Sequence, residues 1–175
     1  AFIQEYLSKL NFISKLDNSS CIVLCPPFTY INLIRLEGLF VGAQDCSIYS
    51  QGAYTGEISA KILKDIGCKF CILGHSERRN LFFEKEEIIR KKISECLLEN
   101  IIPILCIGEN LQQKKENLTK DILREQIKNC LPTESNNNNI IIAYEPLWAI
   151  GTGITPKFEE ISEIQLFIKN SIFKN

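Results

Sequence analysis

Methionine is absent from these 175 residues, histidine and tryptophan occur once each, and the charges nearly cancel, leaving a net charge of −1. Each shortage excludes something. Near-neutrality removes the strong positive field that would draw nucleic acid or an anionic membrane surface. No apolar run approaches the ~20 residues of a bilayer-crossing helix, and no charged-then-apolar leader opens the chain, so neither nucleic acid nor membrane is an expected partner. With one histidine and no second pair of motif-spaced cysteines, no zinc set is offered and no metal is expected. The eight cysteines would suggest disulfides in a small secreted protein. Here they stand singly inside apolar runs, as Cys21, Cys25, Cys71, Cys96, Cys106 and Cys130 do, and read as reduced core side chains. Cys68-Lys-Phe-Cys71 leads into a strand, whereas a redox Cys-x-x-Cys opens a helix. A chain without methionine that begins in a helical pattern at Ala1 leads us to expect its true N-terminus, and any targeting segment, upstream.

What is present is a core and an alternation. A chain with 45% hydrophobic and 23% charged residues suits one globular domain over 1–175. Phe2, Tyr6, Leu10 and Ile13 share a helical face, predicting a helix over 1–16 that ends at Asp17 to Ser20. Cys21–Cys25 reads as a buried strand stopped by Pro26-Pro27, and Thr29–Leu36 as a short helix. A strand over Gly38–Ala43 leads into a polar loop, Gln44 to Gly56. A helix over Glu57–Ile66 follows, with Ile58, Ile62 and Ile66 in register and Gly67 just past its end. Next come a strand at Lys69–Gly74, a short helix at Ser76–Leu81, and a helix at Glu84–Leu98 turning Ile89, Ile93, Cys96 and Leu97 inward. A strand at Ile101–Ile107 precedes a helix marked by Leu118, Ile122, Ile127, Cys130 and Leu131. A strand from Ile140 and a helix carrying Ile161, Ile164 and Ile168, with Thr155 as N-cap and Pro156 as first helical residue, close the chain.

Five apolar strands separated by helices require a parallel sheet. A doubly wound sheet and a closed barrel both fit this alternation. Polar residues at the strand ends, Gln44-Asp45, His75-Ser76-Glu77, Glu109 and Glu145, favour a barrel mouth, because an open sheet gathers its chemistry at one switch point. Gly151-Thr152-Gly153 is half of a dinucleotide fingerprint with Pro156 in the place of its third glycine, so no nucleotide cofactor is expected. Glu145 stands where an apolar strand stops at Pro146. The apolar segment Leu147 to Ile150 and the glycines after it have the make-up of a movable, water-excluding lid. His75 stands at the start of a short helix, where added positive charge is disfavoured. A neutral imidazole that donates, opposite a carboxylate that accepts, suits proton abstraction beside a carbonyl.

The stretches Gly74-His-Ser-Glu-Arg-Arg79, Ala143-Tyr-Glu-Pro-Leu-Trp-Ala-Ile-Gly-Thr-Gly153, Gln51-Gly-Ala-Tyr-Thr-Gly-Glu57 and Leu105-Cys-Ile-Gly-Glu109 resemble the triosephosphate isomerase family, in order and over nearly the whole chain. That resemblance implies a TIM (β/α)8 barrel. A Glu base, a neutral His electrophile and a closing lid are that family's established scheme. It implies Glu145 as base, His75 as electrophile, Ser76, Glu77 and Gln44 as supports, and Gly151, Thr152, Gly153 and Trp148 as the lid over a substrate phosphate. Thr55, Gly56 and Glu57 would reach a sister subunit, implying a homodimer. The substrate would be a phosphorylated triose, handled without a cofactor, with the cytoplasm as default compartment and a plastid as the alternative.

The same resemblance sets further expectations. The family's first strand with its Asn-x-Lys, and its seventh and eighth strands, would lie outside residues 1–175, making these an incomplete barrel that is inactive by itself. Ile154-Thr-Pro156 is shorter than the usual segment after the lid. Two rival readings are a different phosphate-binding barrel enzyme, which would need another base, and a non-catalytic remnant kept as a dimerising module.

Overall fold

The computed structural model describes residues 5, 8, 21–34 and 38–172. They fall into two compact units, residues 1–72 with 95–103 and residues 73–94 with 104–175. The expected helix over 1–16 and its stop at 17–20 lie outside the described residues, except Glu5 and Ser8. There the Ser8 hydroxyl donates to the Glu5 carbonyl at 2.7 Å.

In the first unit, β1 (Ile22–Leu24) ends before Pro26-Pro27, which bring no N–H to a ladder. A 3-10 helix, Phe28–Leu33, follows and buries Ile31; residues 35 and 36 of the expected helix lie outside the described residues. Strand β2 (Leu39–Ala43) runs parallel to β1, with Ile22 opposite Leu39 and Leu24 opposite Val41. Strand β3 (Phe70–Leu73) is parallel to β2, with Gly42 opposite Phe70 and Ala43 opposite Cys71. A Cβ on Gly42 would stand 2.6 Å from Cys25 Sγ, so glycine sets how closely these segments approach. Helix α1 (Ala60–Asp65) starts three residues later than expected, because the Ser59 hydroxyl caps it by accepting from the Ile62 N–H at 3.2 Å. Its inward residues are Ala60 and Leu63; Ile62, expected inward, is 46% exposed. The Gly67 and Cys68 N–H groups donate to the Lys64 and Leu63 carbonyls, a Schellman closure that needs the φ of +92° at Gly67.

In the second unit, helix α2 (Ser76–Leu81) forms as expected. Helix α3 (Glu86–Leu98), whose residues from Glu95 on belong to the first unit, starts two residues late. Glu84 is held instead in a buried pairing, accepting from Arg78 Nε at 2.7 Å and Lys92 Nζ at 2.5 Å. Ile89 and Ile93 are fully buried. Strand β4 (Ile102–Ile107) pairs parallel with β5 (Ile141–Tyr144), Ile104 facing Ile141 and Ile107 facing Tyr144. Between them lies a short helix, α4 (Leu111–Lys115), closed by a capping box between Asn110 and Gln113. Helix α5 (Thr119–Cys130) buries Leu123, Ile127 and Cys130, whereas Leu118, expected inward, is 38% exposed. Helix α6 (Phe158–Ile172) begins after Thr155 and Pro156 rather than on them. The Glu160 carboxylate accepts from the Lys157 N–H at 3.0 Å, so an acid three residues in replaces the expected Thr cap. Ile164 and Ile168 are buried. Lys120 pairs with Glu163 at 2.5 Å, and the Arg124 guanidinium lies 5.3 Å from the centre of the Phe167 ring, joining α5 to α6. Among the described residues no helix is long and apolar enough to cross a membrane.

Candidate active site

The site is built wholly within the second unit. His75 is the N-cap of α2, and its Nδ1 accepts from the Glu77 N–H at 3.3 Å. A ring nitrogen that accepts carries no proton, so the neutral ring bears its proton on Nε2. Nε2 lies 3.0 Å from Glu145 Oε1. Ser76 completes the grip on that carboxylate, its hydroxyl donating to Oε1 at 2.8 Å and its backbone N–H to Oε2 at 3.1 Å. Residues 69 positions apart are thus joined by two hydrogen bonds from Ser76, with the imidazole of the N-cap His75 in contact beside them. A carboxylate held this way is oriented, and must release a donor before it can take a proton from elsewhere. Glu77 lies beside His75 but is 75% exposed, and its carboxylate is 3.7 Å from Nδ1. Its backbone N–H supplies the closer contact.

Glu145 is placed by its strand. Its N–H donates to the Ile107 carbonyl at 2.8 Å, the last rung before Pro146. The adjoining backbone leaves no slack, because a Cβ on Gly108 would come within 1.8 Å of the Glu145 carbonyl oxygen. Gln126, on α5, clamps Gly108 from the other side. Its Oε1 accepts from the Gly108 N–H at 2.9 Å and its Nε2 donates to the Gly108 carbonyl at 3.0 Å. Burial, and after it the Glu145 charge, push the Cys106 thiol up to about 12, against a lowering by the Arg79 guanidinium.

The segment after Glu145 is tied down at its start. Glu109 is 1% exposed, and its carboxylate accepts from the Tyr144 hydroxyl at 3.0 Å and from Trp148 Nε1 at 2.9 Å. The Leu147 N–H adds a bond to the Glu109 carbonyl at 3.1 Å. Burial first, and the charge of Glu109 second, push the Tyr144 hydroxyl up, so it stays a donor. The Lys114 ammonium sits 3.4 Å from the centre of the Trp148 ring and 3.2 Å from Glu160. These groups line a cavity of about 350 Å³. Trp148 is buried, whereas Gly151, Thr152 and Gly153 are exposed. Gly151 and Gly153 take φ of 68° and 74°, and the Thr152 hydroxyl donates to the Trp148 carbonyl at 3.0 Å. The expected lid is therefore a buried indole followed by a bare, exposed glycine turn.

Gln44, Thr55, Gly56 and Glu57 belong to the first unit. Gln44 Nε2 donates to the Cys25 carbonyl at 3.1 Å, and the other three are exposed. Of the expected site residues, the structure thus joins His75, Ser76 and Glu145 directly. The clamp by Gln126 and the donation by Tyr144 had no signal in the sequence, since both rest on partners far apart in the chain. Glu109 gave a partial signal as a polar strand end.

Residues 1–175 match the family model described as triosephosphate isomerase. The triosephosphate isomerase of Aquifex aeolicus is 41% identical over 174 residues, covering 97% of this chain and 70% of that protein. That of Alkaliphilus oremlandii is 44% identical over 158 residues, covering 86% of this chain and 63% of the relative. The crystal structure of triosephosphate isomerase from Bartonella henselae superposes with a TM-score of 0.81 at 32% identity, over 94% of this chain and 68% of that one. The fold is accordingly that of the TIM-barrel enzymes, with five of the parallel strands described here. The chain spans 63% to 70% of the length of the two relatives.

Proposed function

Because the chain belongs to the triosephosphate isomerase family, we propose that it supplies the proton-transfer centre for interconverting dihydroxyacetone phosphate and glyceraldehyde 3-phosphate. Glu145 takes a proton from the carbon beside the carbonyl, His75 Nε2–H hydrogen-bonds the oxygen that gains charge, and the enediolate is reprotonated on the neighbouring carbon. No electron leaves the substrate, so the step needs no cofactor. The observation that carries the reading is the 3.0 Å contact between Nε2 and Glu145 Oε1, with the ring tautomer fixed by Nδ1 accepting from Glu77 N–H. A neutral donor can strengthen its bond as the oxygen becomes anionic, which is stabilisation specific to the transition state.

Ser76 holds the base, with Glu77 supporting His75 through its N–H. Gly151, Thr152 and Gly153, with Trp148 as anchor, form the lid that reaches the substrate phosphate. The exposed N–H groups of a glycine turn suit an anion. Thr55, Gly56 and Glu57 contact a second copy in a homodimer, in the cytoplasm or a plastid. The test is to graft residues 1–175 into the Aquifex aeolicus relative in place of its matching segment and measure isomerisation of glyceraldehyde 3-phosphate. Enzyme-like turnover that falls by about a thousand-fold in Glu145→Gln is expected. A graft that folds cooperatively yet never isomerises the triose would overturn the reading.

A further inference from the structure

Three cysteines of the first unit come from three separate segments: Cys46 from the loop after β2, Cys71 from the middle of β3, and Cys96 from the last turns of α3. Their Sγ atoms all lie within 4.8 Å of one another, with Cys46 and Cys96 3.6 Å apart. Exposure is 2% at Cys46 and 0% at the other two. One histidine and a single motif-spaced pair, Cys68 and Cys71, gave no reason to expect a metal; only the fold brings Cys46, Cys71 and Cys96 together.

A zinc–thiolate bond of about 2.3 Å puts two sulfurs on one ion about 3.8 Å apart in a tetrahedron and about 4.0 Å in a trigonal plane. One pair at 3.6 Å and an upper limit of 4.8 Å for the trio are compatible with both spacings. Three thiols converging from a strand, a helix and a loop also make a set with one adjustable member. Beside Cys46, the Ser47 N–H donates to the Ile58 carbonyl at 2.8 Å. Gly52 and Gly56 further along the loop take φ of 136° and 91°. That loop is the natural way in for an ion and can close the third bond.

We propose that Cys46, Cys71 and Cys96 form a binding site for one soft, thiophilic d10 cation, zinc or monovalent copper. All-sulfur donors select such ions over magnesium or calcium, which take oxygen. Three S–H bonds give way to three metal–sulfur bonds, three protons pass to solvent, and no electron moves. With zinc the cluster keeps one negative charge and takes a solvent oxygen as fourth ligand; with monovalent copper it is trigonal. The site ties loop, strand and helix of the first unit together, so binding stabilises that unit by linkage.

The test uses the full chain of residues 1–175, reduced and handled without oxygen. It is titrated with zinc alone and with monovalent copper alone against a chromophoric chelator, and cobalt(II) serves as a spectroscopic probe. The expected result is one equivalent per chain, with a thiolate-to-cobalt charge-transfer band and affinity lowered about 100-fold in Cys46→Ser/Cys96→Ser. Cys21→Ser, at an exposed position, should leave binding unchanged. Because the double variant can lose its fold, the unchanged chain is also alkylated with and without one equivalent of each cation and its cysteines are followed by peptide mass spectrometry. Slowed labelling of Cys46, Cys71 and Cys96 together, with Cys21 unaffected, supports the site. Equal labelling with and without both cations, or binding unchanged in the double variant, shows three thiols that merely fill space and overturns the proposal.

Discussion

The grip on Glu145 places its energetics in a few atoms. Ser76 donates twice to the carboxylate and His75 stands 3.0 Å away. Removing the Ser76 hydroxyl leaves the backbone N–H and the imidazole, so Ser76→Ala in the grafted enzyme is expected to change kcat by about ten-fold. On the proposed mechanism KM should move less, because the hydroxyl acts on the Glu145 carboxylate. A change confined to KM would assign Ser76 to substrate binding instead. Gly108 gives a harsher case. A methyl there meets a backbone oxygen at 1.8 Å, not a side chain able to swing away. Gly108→Ala should destabilise the chain by about 1–3 kcal/mol or more and lower kcat by displacing Glu145. Denaturant midpoint and turnover should fall together, and a variant as stable and active as its parent would show that the segment relaxes freely.

At the scale of elements, β5 and the turn after it are secured through one buried carboxylate. Glu109 takes donors from Tyr144 and Trp148, 35 and 39 residues away. Trp148→Phe keeps the ring but deletes the N–H, and should cost about 1–3 kcal/mol. It should also loosen 147–153, seen as faster proteolytic cleavage there; unchanged cleavage would mean that Pro146 and the Leu147 N–H suffice. The elements also show what periodicity reveals. Strands β1 to β5 were legible because each is a short apolar run bounded by Pro, Gly or a charge. Helix α2 was legible because the run from Ser76 to Leu81 directly follows a strand end. Helix α1 was placed three residues early because an isoleucine repeat suggested a buried stripe, while Ser59 decided the start and Leu63 the buried face. Helix α4 leaves no periodic trace because Leu111–Lys115 is short and polar and rests on a capping box instead of a core. His75 and Glu145 could be singled out from their strand ends, but their tautomer and donors depend on distances that no spacing encodes.

Over the molecule as a whole, buried acids titrating late make alkali the weak side. Burial raises the thiol of Cys68 to about 11 and that of Cys106 to about 12, from an ordinary 9.0. Tyr144 is raised from 10.0. Where the folded value lies above the unfolded one, the unfolded chain sheds protons first. The stability is therefore whole below about pH 9 and drains as pH rises toward the folded values. Urea midpoints should decline steadily from about pH 9 upward, and Cys106→Val should flatten part of that slope; an alkaline profile identical in the variant would remove Cys106 from the account. By itself, the polypeptide of residues 1–175 is expected to show no isomerisation above background, since it spans 70% of the Aquifex aeolicus relative. A soluble chain turning over substrate at an enzyme-like rate would refute that. The division into units bears on biosynthesis as well. The first unit takes residues 1–72 and then waits for 95–103. A ribosome therefore delivers Leu73–Ser94, the opening of the second unit, before the first can be completed. Neither unit can mature strictly before its neighbour begins to emerge, and no single proteolytic cut can release one from the other.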